Sequence, residues 1–318
     1  MTVALGYLLP TRERVMVGEH RTDAILELAE HAEASGLDSV WVGDSLLAKP
    51  RHDPLTLLAA LAARTRRITL GTAVLLPMLR NPVVLAQQVA TLDQIATGRL
   101  VVGLGIARDV PAIRAEFEAA GVPFERRVGR MLDGVRLMRS LWQGHPVDYD
   151  GLWRVREAEL GPLPYRVGGP PLWGGGAAPG ALRRCGRYFD GWFPSGPGGP
   201  PEWADGWRQV MSSASEQGRG ASRVTPAAYV TVSMSEDVAT ANAELDAYVE
   251  AYYAQPAALV RANQFTFAGT PDDALAWLAA FVRSGVRHLC VRFAGRDDAA
   301  CVSWLSSLRG PLTKVAEQ

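Results

Sequence analysis

Short apolar runs alternate with amphipathic helical stretches from the first residues onward, and few folds accommodate that alternation. VALGYLL (3–9) reads as a strand, and TDAILELAEHAEASG (22–36) follows as a helix with Ile25, Leu28, Ala29 and Ala32 on one face. Thr22 is placed to cap its start and Gly36 its end. DSVWV (38–42) is a second strand, and after the polar turn GDSLLAKPRHD comes the helix PLTLLAALAART, with Pro54 suited to its first turn. RITLGTAVLL (67–76) supplies a third strand. NPVVLAQQVATLDQIATG supplies a helix in which Asn81 caps, Pro82 opens and Gly98 closes, and RLVVGLGIA a fourth strand ending in glycines.

Beyond Arg108 comes a longer amphipathic stretch, EFEAAGVPFERRVGRMLDGVRLMRSLW, and then regularity is lost through 143–170, read as an excursion from the fold. PPLWGGG (170–176), FDGWF (189–193), AAYVTVSM (227–234) and RHLCVRF (287–293) are the remaining strand candidates. About eight β-α units result, the number that closes a barrel. The expectation is an α/β chain forming one (β/α)8 TIM barrel over 1–318, with insertions after strands 4 and 7. A length of 318 residues with 48% hydrophobic content suits that choice. PSGPGGPP (194–201) is a loop too short to separate domains.

Lys plus Arg and Asp plus Glu are both 33, so no global basic field exists to draw a polyanion, and nucleic acid is a poor partner. The first strand has no basic segment before it and is too short to span a bilayer, which argues against a signal or membrane anchor. Cys185, Cys290 and Cys301 are widely separated, read as buried thiols in a reduced, cytoplasmic compartment.

Barrel enzymes place their chemistry at strand C-termini. The residues there are Tyr7, Asp44, Ser45, Ala73 to Arg80, Gly105 to Asp109, Gly174 to Ala177, Trp192 to Ser195, Ser233 and Arg292. A Schiff-base enzyme needs an interior lysine, whereas Lys49 lies in a loop and Lys314 in the tail. His20, His31 and His145 fall outside the strands, which argues against a metal site. Only Asp44, Asp109 and Glu236 offer carboxyls near strand ends, a poor set for a glycosidase. An apolar, glycine-rich mouth with sparse polar groups suits a flat aromatic cofactor lying against backbone.

The block GTAVLLPMLRNPVVLAQQVATLDQIATGRLVVGLGIA (71–107) resembles the luciferase-like monooxygenase family. The shared elements are GTAV closing the third strand, the RNP turn, the helix bearing Gln87, Gln88, Thr91 and Asp93, then GRL and VGLG. GLDSVWVGDS (36–45), EFEAAGVPFERR and PPLWGGG with DGW (170–192) resemble the family in the same order, and the likeness thins toward the C-terminus. The resemblance implies a flavin or deazaflavin in the mouth, often a homodimer, and a cis peptide between non-proline residues ending the third strand, here Ala73-Val74.

Gly174, Gly175, Gly176 and Ala177, ahead of the helical PGALRRC, either cradle a cofactor phosphate with backbone N–H groups or form a tight turn. Asp44 matches the family position near the ring's polar edge, or caps the following turn; Ser45 beside it can exchange a hydrogen bond, and many deazaflavin-dependent relatives carry histidine there. His52 is either an acid, base or anion contact or a solvated loop residue. Arg80 and Arg108 either meet a phosphate or acidic substrate or pair with carboxylates such as Asp109. Gly105, Ile106 and Ala107 would line the ring with Ala73 and Val74. Trp41, Trp173 and Trp192 either wall the cavity or pack outward.

Three functions are weighed. The leading expectation is a flavin-dependent monooxygenase using reduced FMN, supplied by a separate flavin reductase, and dioxygen on a small-molecule substrate. The alternative is hydride transfer with coenzyme F420, as a reductase or dehydrogenase, and the third is a flavin carrier without turnover. Apolar faces on the helices after strands two and three suggest a homodimer.

Overall fold

The computed structural model describes residues 2–295 and 297–317. Its strands in chain order are β1 (Ala4–Leu8), β2 (Ser39–Val42), β3 (Thr69–Leu75), β4 (Leu100–Leu104), β5 (Val147–Asp150), β6 (Arg154–Ala158), β7 (Leu172–Gly174), β8 (Gly191–Trp192), β9 (Thr225–Met234), β10 (Thr266–Gly269) and β11 (His288–Phe293). Parallel ladders join β1, β2, β3, β4, β7, β8, β9 and β11 in that order, and β11 pairs back to β1, so the sheet closes into the expected eight-stranded barrel. All eight strands read from the sequence are barrel strands.

Both insertions are present. After β4 the chain runs through helices and then the antiparallel hairpin β5-β6 before returning as β7. After β9 it runs through the helices Val238–Tyr253 and Ala257–Ala262 to β10, which adds parallel to the C-terminal half of β9. The long stretch 116–142 is not one helix: Gly121, at φ +66°, and Pro123 end the helix Pro111–Ala119, and a new helix starts at Arg127. Asn81 caps as expected, accepting from the Val83 and Val84 amides, whereas Thr22 makes no side-chain cap bond.

Two apolar layers follow from the two-residue alternation of side chains along each strand. Outward residues such as Leu5, Val40, Leu70, Val102 and Leu289 pack beneath the helices. Inward ones, with Trp41, Trp173, Phe193, Ala227 and Cys290 fully or nearly buried, fill the barrel. Each interior tryptophan faces glycine across the ladder: Trp41 is in register with Gly71, and Trp173 with both Gly103 and Gly191. A Cβ on Gly71 would lie 2.2 Å from the Trp41 ring, so glycine there is what lets an indole fit inside. Trp192 instead points outward, stacked 5.4 Å from Trp203 and 6.3 Å from Trp207. Tyr7 also faces the helices, donating to Asp298.

Cys185 and Cys290 are buried free thiols and Cys301 is only half-buried. Among the described residues no helix is long and apolar enough to cross a membrane.

Candidate active site

With tryptophans filling the lower barrel, what remains for chemistry is the rim at the strand C-termini. The peptide bond between Ala73 and Val74 at the end of β3 is cis. Gly105 donates its amide to the Leu75 carbonyl at 2.9 Å, and a Cβ on it would lie 2.4 Å from Val74, so β3 and β4 meet without room for a side chain. Gly175 repeats the device between β4 and β7, donating to the Leu104 carbonyl at 2.9 Å. Ile106 and Ala107 continue this wall half-buried, Ala107 at φ +62°.

Gly176 takes φ +92°, and the helix Pro179–Tyr188 begins just after it with no side chain capping its first amides. Free N–H groups at a helix start, approached through glycine and alanine, form an anion cradle. The bare backbone of 73–74, 105–107 and 174–177 therefore fits a flat ring carrying a phosphate, as a flavin or deazaflavin does.

Asp44, Ser45, Arg80 and His52 are committed to the scaffold. Asp44, with its side chain only 1% exposed, takes both Arg80 Nη atoms at 2.6 and 3.1 Å and the Leu76 amide at 2.9 Å. Arg80 also reaches Asp53, so this group ties the ends of β2 and β3 together. Ser45 donates to Glu116 Oε1 at 2.7 Å, and the same oxygen accepts from the amides of Leu46, Leu47 and Ala48. The turn after β2 is thus folded around Glu116, which opens the EFEAAGVPFERR block but is not among the candidate site residues read from the sequence. His52 Nε2 lies 2.9 Å from the His20 carbonyl. Arg108 spans to the insertion after β9, donating to the Asn263 carbonyl at 3.1 Å, while Asp109 pairs with Arg114 instead.

The titratable groups that do gather at the mouth come from elsewhere. Arg292, 1% exposed on β11, donates to Thr231 Oγ1 at 2.8 and 3.1 Å, to the Tyr253 hydroxyl at 2.9 Å and to Gln264 Oε1 at 3.1 Å. Its guanidinium carbon is 4.6 to 5.4 Å from the rings of Tyr229, Tyr248, Tyr252 and Tyr253. Lys49 Nζ stands 4.3 Å over Tyr253, and Arg51 lies against Gly43 with its guanidinium 5.7 Å from Tyr252. Burial lowers the Lys49 ammonium to about 8, helped by the charges of Arg51, Arg108 and Arg12 and opposed by Tyr253. Burial alone would raise the Tyr253 hydroxyl, but the charges of Arg292 and Lys49 hold it below its ordinary value.

In this cluster Arg292 carried a sequence signal as a cation inside an otherwise apolar strand, and Tyr252 and Tyr253, with Phe265, as residues that either line the pocket or pack beneath it. Lys49, Arg51 and the paired Tyr252 and Tyr253 lie in loops or insertions and meet only because the barrel closes.

Comparison with known proteins agrees with this geometry. The sequence profile of the family described as luciferase-like monooxygenase matches residues 3–288. The chain is 30% identical over 300 residues to an F420-dependent glucose-6-phosphate dehydrogenase of Mycobacterium avium (strain 104), covering 86% of this chain and 89% of that one. It superposes on an F420-dependent secondary alcohol dehydrogenase, solved with an F420-acetone adduct, with a TM-score of 0.82 at 20% identity over 100% of both chains. A monooxygenase from Streptomyces bottropensis gives 0.81 at 23% identity over 97% of this chain and 99% of that one. The closed parallel barrel and a match over nearly the whole length thus converge, and the chain belongs to the luciferase-like monooxygenase family of oxidoreductases.

Proposed function

We propose that this protein is a coenzyme F420-dependent oxidoreductase that moves a hydride between the deazaflavin and a small organic substrate. The observation that carries this reading is the extended similarity to F420-dependent dehydrogenases, 30% identity over 300 residues. It reverses the order suggested by the sequence motifs alone, which put a reduced-FMN monooxygenase first.

The backbone of Ala73, Val74, Gly105, Ile106 and Ala107 would back the ring, and the amides of Gly176 and Ala177 would hold its phosphate, the Gly175 amide being bound to the Leu104 carbonyl. A bound deazaflavin supplies the hydride donor or acceptor. The protein's part is to exclude water and to manage a proton. Trp41, Trp173 and Phe193 seal the barrel beneath the mouth, with ring centroids 4.7 to 5.7 Å apart. Ser45 stands where many deazaflavin enzymes carry histidine, and it is bound to Glu116, so it is no proton acceptor. That role falls to Tyr253 Oη, lowered by the charges of Arg292 and Lys49 against the effect of burial, or to Lys49 Nζ, lowered chiefly by burial to about 8.

Ser45 in place of histidine also favours the second reading, oxygenation with reduced FMN from a partner reductase. Absorbance titrations of the purified protein with coenzyme F420 and, anaerobically, with reduced FMN separate the two. Tight F420 binding together with weak FMN binding is the expected result. The opposite preference, followed by an oxygen-adduct spectrum on admitting air, overturns the hydride-transfer reading.

A further inference from the structure

Five cations converge at one side of the mouth from four different segments: Arg12 after β1, Lys49 and Arg51 after β2, Arg108 after β4 and Arg292 on β11. None of them forms an ion pair with a carboxylate among the described residues, although fourteen other arginines do. Three guanidiniums share a single ring: Arg12, Arg51 and Arg292 stand 5.2, 5.7 and 4.6 Å from the Tyr252 centroid. Arg12 donates through Nε to the Tyr252 carbonyl at 3.0 Å, while its Nη1 is buried without any hydrogen-bond partner.

Aromatic faces attract one cation well, but three cations around one ring repel one another, and arginine does not shed its proton to relieve the repulsion. Glu13, whose charge reaches Arg12 and Arg51, accepts a hydrogen bond from the Tyr248 hydroxyl and forms no ion pair with any of the five. A buried cluster of one sign with an unused donor is the arrangement expected when the countercharge arrives with a ligand.

We infer that this cluster is the binding site for the anionic group of the substrate, a carboxylate or a phosphate, with Arg51, Arg292 and Arg12 as its principal contacts. The position in the barrel separates it from the cofactor's own phosphate. In the closed strand order, β7 and its cradle at 174–177 lie three strands from β2 and β11 and four from β1, the strands that carry or precede the principal contacts Arg51, Arg292 and Arg12. The term substrate rests on the hydride-transfer reading above; the anion site itself rests on the cluster alone. The enzyme would therefore take a small acid or phosphate ester, with the carbon that gives or accepts the hydride held between this cluster and the ring.

Calorimetric titration of inorganic phosphate and of oxalate, with ethylene glycol as a neutral control, tests the site without turnover, in the wild type and in Arg51→Met, Lys49→Met and Arg292→Lys. Coenzyme F420 is titrated in parallel by absorbance. Arg51→Met and Lys49→Met alter loop residues outside the barrel strands and so keep the test usable if Arg292→Lys misfolds. The expected result is binding of at least one anion but not of the glycol, weakened by about 10- to 100-fold in Arg51→Met. F420 affinity should stay within about twofold, as for sites that share no partner. No anion binding in the wild type, or equal binding in all variants, overturns the proposal. A parallel loss of F420 affinity also overturns it, because the cluster would then hold the cofactor's own acidic groups. If F420 fails to bind the wild type while the anion still does, the site stands and the cofactor reading falls.

Discussion

His288 shows how one interior side chain can tie stability to pH. It points into the barrel from β11, with its ring edge-on to Trp41 and Trp173 at 5.4 and 5.1 Å, and its Nε2 lies 2.8 Å from Ser39 Oγ. Ser39 already accepts from Trp41 Nε1 at 2.8 Å, so its own hydroxyl proton is free to go to Nε2, which favours the neutral imidazole. Burial pushes the imidazolium down to about 4 from an ordinary 6.5, against the weaker pull of Asp38. Between those values the unfolded chain holds a proton that the folded one refuses. The contribution is therefore intact above 6.5 and is lost as pH falls toward 4, amounting to about 3 kcal/mol at most. Urea unfolding at pH 7, 5.5 and 4.5 should show the wild type losing stability more steeply than His288→Gln by about one proton. Parallel pH slopes for the two proteins would show that His288 does not carry this effect.

Among the elements, the pairing of tryptophan with glycine across the barrel ladders decides what the interior can hold. Gly71 sits opposite Trp41 where a Cβ would meet the ring at 2.2 Å, and both flanking strands are fixed on their far sides, so neither can retreat. Gly71→Ala should cost about 1–3 kcal/mol through overpacking, and Trp41→Leu in the same chain should recover part of it. Chemical denaturation with near-ultraviolet circular dichroism measures both, and a Gly71→Ala protein as stable as wild type would refute the steric account. The same elements explain what the sequence made legible. Parallel strands buried on both faces read as unbroken apolar runs, which is why all eight barrel strands could be located before the structure. The hairpin β5-β6 could not, because VDYD and RVREA are polar and mostly exposed and carry no alternating apolar face. Strand β10 was missed for a related reason: only four residues long, it lies inside an insertion and is defined by its partner β9. In the candidate site, the close-packed backbone at 73–74, 105–107 and 174–177 is readable because each piece is contiguous. The assembly of Lys49, Arg51, Tyr252, Tyr253 and Arg292 is not, because no local pattern records which loops a closed barrel brings together.

For the whole molecule, the outer helices bear on whether the barrel works alone. The helices Pro54–Arg64 and Pro82–Ile95 pack side by side on the outer surface, and between them lies a shallow groove lined by Leu55, Ala59, Leu92 and Ile95 with Gln87, Gln88, Thr56 and Thr91. Val84 and Ile95 on this pair are 53% and 44% exposed, an apolar pairing that a solitary barrel would leave in water. With equal numbers of acidic and basic residues, the chain also has no net charge to keep copies apart. A two-fold axis through this groove would bury the same patch from both subunits, as closed dimers do. We therefore expect light scattering to give twice the 34.3 kDa chain mass, and Val84→Arg combined with Ile95→Arg to return a folded monomer. Because the patch lies on the outer helices and the cation cluster at the barrel mouth, the monomeric variant should keep the anion affinity of the wild type. A wild-type mass equal to one chain would rule out this interface. A variant that stays dimeric would place the contact on another face.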